Sequence, residues 1–248
     1  MLRVLILGGT TEASMLARSL AGDARFQATL SLAGRTRAPV LPPIASRIGG
    51  FGGVAGLAAY LRAGQIDALV DATHPFAAQM SANACGAALL TGVPLLRINR
   101  LEWQQTAGDR WTMVPDMAAA ARALGEISQR VLLTIGQQDL APFVAAAWHY
   151  YIIRSVDAPA PEALPANAVV ITARGPFAEP DEHKLMVDRN ITVLVTKNSG
   201  AGATAAKLAA ARTLGLPVVM VIRPTVPAAA EVTDAASALD WLTHHAAA

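Results

Sequence analysis

Short, strongly apolar runs separated by alanine-rich stretches of helical period constrain this chain more than any other feature. Leu2–Leu7, Gln27–Leu32, Ala68–Asp71, Pro94–Ile98, Arg130–Ile135, Tyr150–Ser155, Ala168–Thr172, Thr192–Thr196 and Pro217–Ile222 read as strands. Between them the spacing predicts helices near Thr11–Ala21, Val54–Ala63, Phe76–Thr91, Asp116–Ser128, Glu179–Asn190, Ala203–Leu214 and Ala235–His245. A strand that is Val/Ile/Leu along its whole length must be covered on both faces, and helical crossovers join strands that run in one direction. The expected class is therefore α/β, a doubly wound parallel sheet.

The pattern also repeats. Ala68–Phe76 leads through a helix to Gly92–Arg100, and Ile191–Ser199 leads through a helix to Gly215–Arg223. Without a gap, Thr73 falls on Thr196, Pro94 on Pro217 and Arg100 on Arg223, an offset of 217 − 94 = 123 residues. Two Rossmann-like parallel-sheet halves with a cleft between them account for this, and the expected division is 1–110 and 111–248.

Composition narrows the partners. With 248 residues, 53% hydrophobic and 15% charged, each half has enough apolar material for a core. No apolar run reaches the length of a membrane span, and the N-terminal segment reads as a first strand, not as a signal peptide. Cys85 is the single cysteine, which excludes an internal disulfide and fits a cytoplasmic location. Net charge is +2, yet the bases are 17 Arg and 3 Lys, a bias that suits a small anionic ligand. No basic cluster interleaved with aromatics points to nucleic acid, and His149, His183, His244 and His245 lack the spacing of a metal site.

A dinucleotide site is expected where the first strand ends. Leu2–Leu7 runs into Gly8-Gly9-Thr10-Thr11-Glu12-Ala13 and then a helix. Gly8, Thr10 and Ala13 hold the three fingerprint positions: Gly8 for the tight turn, Ala13 for helix–strand packing, and Thr10, in place of glycine, offering its N–H and hydroxyl to a pyrophosphate. After the second strand the chain reads Ser31-Leu32-Ala33-Gly34-Arg35-Thr36-Arg37, with no acid to bond a ribose 2′-hydroxyl. Ser31, Gly34 and Arg35 there favour a 2′-phosphate, hence NADPH over NADH. Gly50 and Gly52, within Gly49-Gly50-Phe51-Gly52-Gly53, let backbone approach a flat ligand, and Thr73 and His74 follow the next strand at the same edge.

Taken together these segments resemble the precorrin-6A reductase family of cobalamin biosynthesis. The resemblance rests on Gly8–Ala13, Ser31–Arg35, Gly49–Gly53, Asp71–Ala77, Arg97–Trp103, Thr134–Gly136, Gly175–Phe177 and Thr196–Gly200, and so spans nearly the whole chain. It implies an NADPH-dependent oxidoreductase acting on a CH–CH bond, which reduces one double bond of the precorrin-6A macrocycle to the dihydro form, precorrin-6B. A tetrapyrrole fringed with carboxylates needs cationic groups and backbone N–H donors. Arg97, Gln137, Arg174 and the turn Lys197-Asn198-Ser199-Gly200 are the substrate candidates, and His74 and Lys197 the candidate catalytic residues. A cobalt-precorrin-6A substrate and a non-catalytic NADPH-sensing regulator stay open as alternatives. A short-chain reductase does not, because no Tyr is followed four residues later by Lys.

Overall fold

The computed structural model describes residues 1–34 and 38–246. Contacts divide it into two compact units, Met1–Leu101 with Pro224–Ala248, and Glu102–Arg223.

The first unit holds β1 (Leu2–Leu7), α1 (Thr11–Ser19), β2 (Phe26–Leu32), β3 (Ala45–Ile48), α2 (Gly53–Ala63), β4 (Ala68–Asp71), α3 (Ala78–Thr91) and β5 (Leu95–Ile98). The second holds β6 (Arg110–Val114), α4 (Met117–Ala123), β7 (Arg130–Thr134), α5 (Ala141–Val144), β8 (Tyr150–Ser155), β9 (Ala168–Thr172), α6 (Glu179–Asp188), β10 (Val193–Lys197), α7 (Ala206–Thr213) and β11 (Pro217–Val221). The chain then returns to the first unit with β12 (Ala230–Val232) and α8 (Ala235–Ala246).

Each unit is built on a six-stranded sheet whose paired strands are all parallel, ordered β12-β5-β4-β1-β2-β3 and β6-β11-β10-β7-β8-β9. In β1 successive side chains point to opposite faces, as the strand period demands. Val4 and Ile6 pack with Leu16 of α1 and Leu242 of α8, while Leu5 and Leu7 pack with Leu57 and Leu61 of α2 and Ala84 of α3. All of these are buried, and each Leu or Ile so placed contributes about 1.5–3 kcal/mol against exposure. In the second unit Leu132, Ile152, Leu194 and Met220 turn one sheet face to Met186 of α6 and Leu208 of α7.

The two sheets share one plan. Reading β7 as the counterpart of β1, every strand position matches, and the helix pairs α2·α3 and α1·α8 correspond to α6·α7 and α4·α5. The sixth strand is supplied differently in each case. β6 follows the first crossing at Leu101 and joins the second sheet beside β11; β12 follows the second crossing at Pro224 and joins the first beside β5. Arg100 and Arg223, matched by the 123-residue offset, stand immediately before the two crossings.

The sequence division places residues 224–248 in the second half, whereas in the structure they complete the first unit, because β12 pairs with β5 and α8 packs against α1. β3, β6 and β12 are edge strands beyond those expected. The expected helix at Phe76 begins two residues later, since the N–H of Ala77 closes a turn on the His74 carbonyl at 2.7 Å. The helix opened by the Asp116 cap ends at Ala123, just before Gly125, which has φ +72°. No helix among the described residues is long and apolar enough to cross a membrane.

Candidate functional site

Because β1 to β5 run in one direction, their carboxyl ends lie along one edge, the edge at which open α/β sheets bind ligands. The register Leu7↔Ser31, Leu7↔Asp71 and Leu32↔Ile48 aligns the segments that follow β1, β2, β3 and β4. Gly8 to Ala13, Ser31 to Gly34, Gly49 to Gly53, and Thr73 with His74 are thereby brought to the same edge.

The first of these turns is tightly specified. An ideal Cβ on Gly8 would lie 2.5 Å from Leu30 Cδ1 and 3.4 Å from the Cβ of Ala13, so both small residues serve close packing. Thr10 caps α1: its hydroxyl accepts from the Ala13 N–H at 3.2 Å and donates to the Ala72 carbonyl at 2.8 Å. That hydroxyl proton is thus spent inside the fold, contrary to the expectation that it meets a pyrophosphate. The N–H groups of Thr11 and Glu12 open the helix, where no carbonyl of the same helix can reach them. Glu12 turns its carboxylate to Arg100, 2.5 Å away, which offsets a negative charge beside an anion-binding turn.

At the end of β2, Ser31 is buried and its hydroxyl accepts from Arg47 at 2.7 Å. Gly34 follows with φ +79°. Arg35 lies outside the described residues. Gly50 and Gly52 flank Phe51, and the N–H of the preceding Gly49 bonds the Leu32 carbonyl at 2.8 Å, tying this loop to β2. Thr73 donates from its N–H and its hydroxyl to Asp71. His74 Nδ1 accepts from the Phe76 N–H at 3.2 Å, so in the neutral ring the proton sits on Nε2.

The substrate candidates divide. Arg97 is buried, and its guanidinium donates to Asp71, Glu231, the Pro227 carbonyl and the Cys85 sulfur. Asn198 is also buried; its amide bonds Glu102 and both backbone groups of Trp103. In each case the polar atoms are used in holding the fold, and this corrects the expectation that they meet a ligand. Ser199 is buried too, its N–H on the Lys197 carbonyl and its hydroxyl accepting from Ala201, so the expected nest of outward N–H groups around Gly200 is largely turned inward. Gln137 is half-buried in a 3-10 turn after β7, and Arg174 is exposed beyond β9. Both stand with Lys197 at the carboxyl edge of the second sheet. Lys197 pairs with Asp139 at 2.5 Å.

Sequence reading passed over Asp139, Arg47 and a buried cluster in the second unit. In that cluster Arg154 pairs with Glu182, lies over the Phe177 ring, and neighbours Lys207. Burial first, and the Arg154 charge second, pull the Lys207 ammonium down to about 7. A lysine inside an alanine-rich helix gives no hint of this from sequence. Arg47 was signalled weakly, by a short run ending at a glycine cluster. Among the described residues no group of three or more His, Cys, Asp or Glu gathers to hold a metal.

Comparison with known proteins places the chain. Residues 3–243 match the family model described as Precorrin-6x reductase CbiJ/CobK. A protein of Rhodobacter capsulatus named Precorrin-6A reductase is 51% identical over 248 residues, covering 100% of this chain and 98% of that protein. One of Priestia megaterium, named Cobalt-precorrin-6A reductase, is 34% identical over 172 residues, covering 65% and 67%. The solved structure titled CobK precorrin-6A reductase superposes with a TM-score of 0.93 at 51% identity, covering 99% of this chain and 97% of that one. The turn after β1, the acid-free end of β2 and the whole-length match agree: this chain belongs to the precorrin-6x reductase family, CbiJ/CobK.

Proposed function

We propose that this protein reduces one double bond of precorrin-6A with NADPH, giving the dihydro macrocycle precorrin-6B in cobalamin biosynthesis. The observation that carries the reading is the carboxyl edge of the first sheet. There the Gly8 turn, the start of α1 and the end of β2 meet, and among the described residues the carboxylates beside them are compensated: Glu12 faces Arg100, and Asp71 is buried against Arg97 and Thr73.

These residues suit an NADPH. N–H groups at the start of α1 hold pyrophosphate through backbone and helix dipole. Ser31 stands where an NAD enzyme carries an acid. His74 follows β4 at the same edge and is the candidate there for the nicotinamide side. The bound cofactor supplies the hydride; the protein binds, orients and keeps water away. Lys197, buffered by Asp139, is the candidate cation for substrate carboxylates and the candidate proton source, with Arg174 and Gln137 beside it on the second sheet's edge. Such an enzyme works on a soluble intermediate in the cytoplasm. The metal-free substrate is favoured, since the relative matched over its full length at 51% identity bears that name, and the cobalt form is matched at 34% over two thirds.

The test is anaerobic turnover of precorrin-6A and of cobalt-precorrin-6A with NADPH or NADH, following nicotinamide absorbance and macrocycle spectrum together. Expected is stoichiometric NADPH loss with a shifted chromophore, fastest with precorrin-6A and much slower with NADH. A folded protein that turns over neither macrocycle contradicts the reading.

A further inference from the structure

We propose that Arg47, fixed on the Phe51 ring, is the cation that reads the cofactor's 2′-phosphate, a role that rests on the NADPH reading above. Arg47 lies on β3 directly opposite Ser31 of β2. Its Nη1 donates to Ser31 Oγ at 2.7 Å and to the Gly49 carbonyl at 3.0 Å, and its Nη2 donates to the Gly50 carbonyl at 3.0 Å. The guanidinium carbon stands 3.9 Å from the Phe51 ring centroid and 5.3 Å from that of Tyr60. A guanidinium has five N–H donors, so among the described residues the Nε–H and one Nη2–H remain, adjacent donors of the fork that grips phosphate. Hydroxyl and carbonyl partners leave its charge in place, and no described carboxylate forms an ion pair with it. The result is a rigid, uncompensated cation at the end of β2, where a ribose 2′-substituent lies. Holding the side chain in advance lowers the entropy lost on binding.

The second unit supplies an internal control. An offset of 126 residues carries Phe51 to Phe177 and the start of α2 at Gly53 to the start of α6 at Glu179. An arginine lies 3.9 Å over that phenylalanine ring as well, although it is Arg154 of β8, the counterpart of β2 and not of β3; Glu182 of α6 neutralises it and the pair is buried. The same offset brings Glu182 onto Gly56. An ideal Cβ at Gly56 would stand 1.7 Å from the Phe51 carbonyl oxygen, so no carboxylate fits there. One arrangement is closed by its own acid; the other is left open to an external anion.

Calorimetric binding of NADP+ and NAD+ to wild type, Arg47→Met and Arg47→Lys tests this, with thermal melts to confirm folding. Arg47→Met should weaken NADP+ on the order of 10- to 100-fold and leave NAD+ nearly unchanged, with Arg47→Lys between. If Arg47 only braces the glycine loop, Arg47→Met and Arg47→Lys weaken both nucleotides alike, and the proposal falls. A wild type that prefers NADP+ with the preference intact in Arg47→Met overturns the Arg47 role alone. A wild type that binds neither nucleotide overturns the cofactor reading and this proposal with it.

Discussion

Lys207 shows how much of this chain's chemistry is set by single buried contacts. It is buried, its ammonium donates to the Thr204 carbonyl at 3.0 Å, and Trp103, Arg154 and Glu182 surround it. Burial and the neighbouring Arg154 lower it from 10.5 to about 7, so above that pH the folded protein has released a proton that the unfolded chain still holds. The unfolded state binds more protons between those values, so stability rises with pH there, by up to ~1.4 kcal/mol per pH unit; below them this slope vanishes. Denaturant melts between pH of about 7 and 9 should show that rise. Lys207→Met should flatten it and be the more stable protein on the acid side. An unchanged slope in the variant contradicts the assignment.

At the scale of elements, central strands were legible, and of the four edge strands only β9 was. Ala68–Asp71 and Tyr150–Ser155 match their expected bounds because a strand covered on both faces carries a run of apolar residues, here Ala68–Val70 and Tyr151–Ile153. β3, β6 and β12 escaped: Ala45, Ser46 and Ile48 are exposed, β6 is mostly exposed, and β12 is three residues held by β5 alone. The same contrast governs the site. The Gly8 turn was readable because its sequence is local, whereas Arg97 and Asn198 looked like ligand groups because their partners, Glu231 and Trp103, come from contacts the local sequence does not announce. Arg47 and Asp139 matter for the converse reason: strand pairing sets Arg47 opposite Ser31, and an ion pair with Lys197 of β10 gives Asp139 its partner. α2 carries its own demand at Gly56, where a methyl group meets the Phe51 backbone oxygen. Gly56→Ala should cost about 3 kcal/mol, the upper range of overpacking, and raise KM for NADPH by displacing the loop beneath Arg47. Chemical denaturation and steady-state kinetics on one preparation measure both.

For the molecule as a whole, the repeat visible at an offset of 123 residues is the imprint of two sheets with one plan, each taking its sixth strand after a crossing of the chain. Sequence periodicity reported the repeat but not the exchange of sixth strands, because nothing in Ala230–Val232 distinguishes β5 from β11 as a partner. Under the proposed function, hydride passes from NADPH to the macrocycle on this protein. The direct measurement is an anaerobic single turnover of precorrin-6A with NADPH in which both hydrogens at the hydride-donating carbon are deuterium, read by mass spectrometry of the macrocycle. One deuterium is expected in the dihydro product; a reduced macrocycle without deuterium, or no reduction by the folded protein, would show that the hydride does not pass from NADPH on this protein.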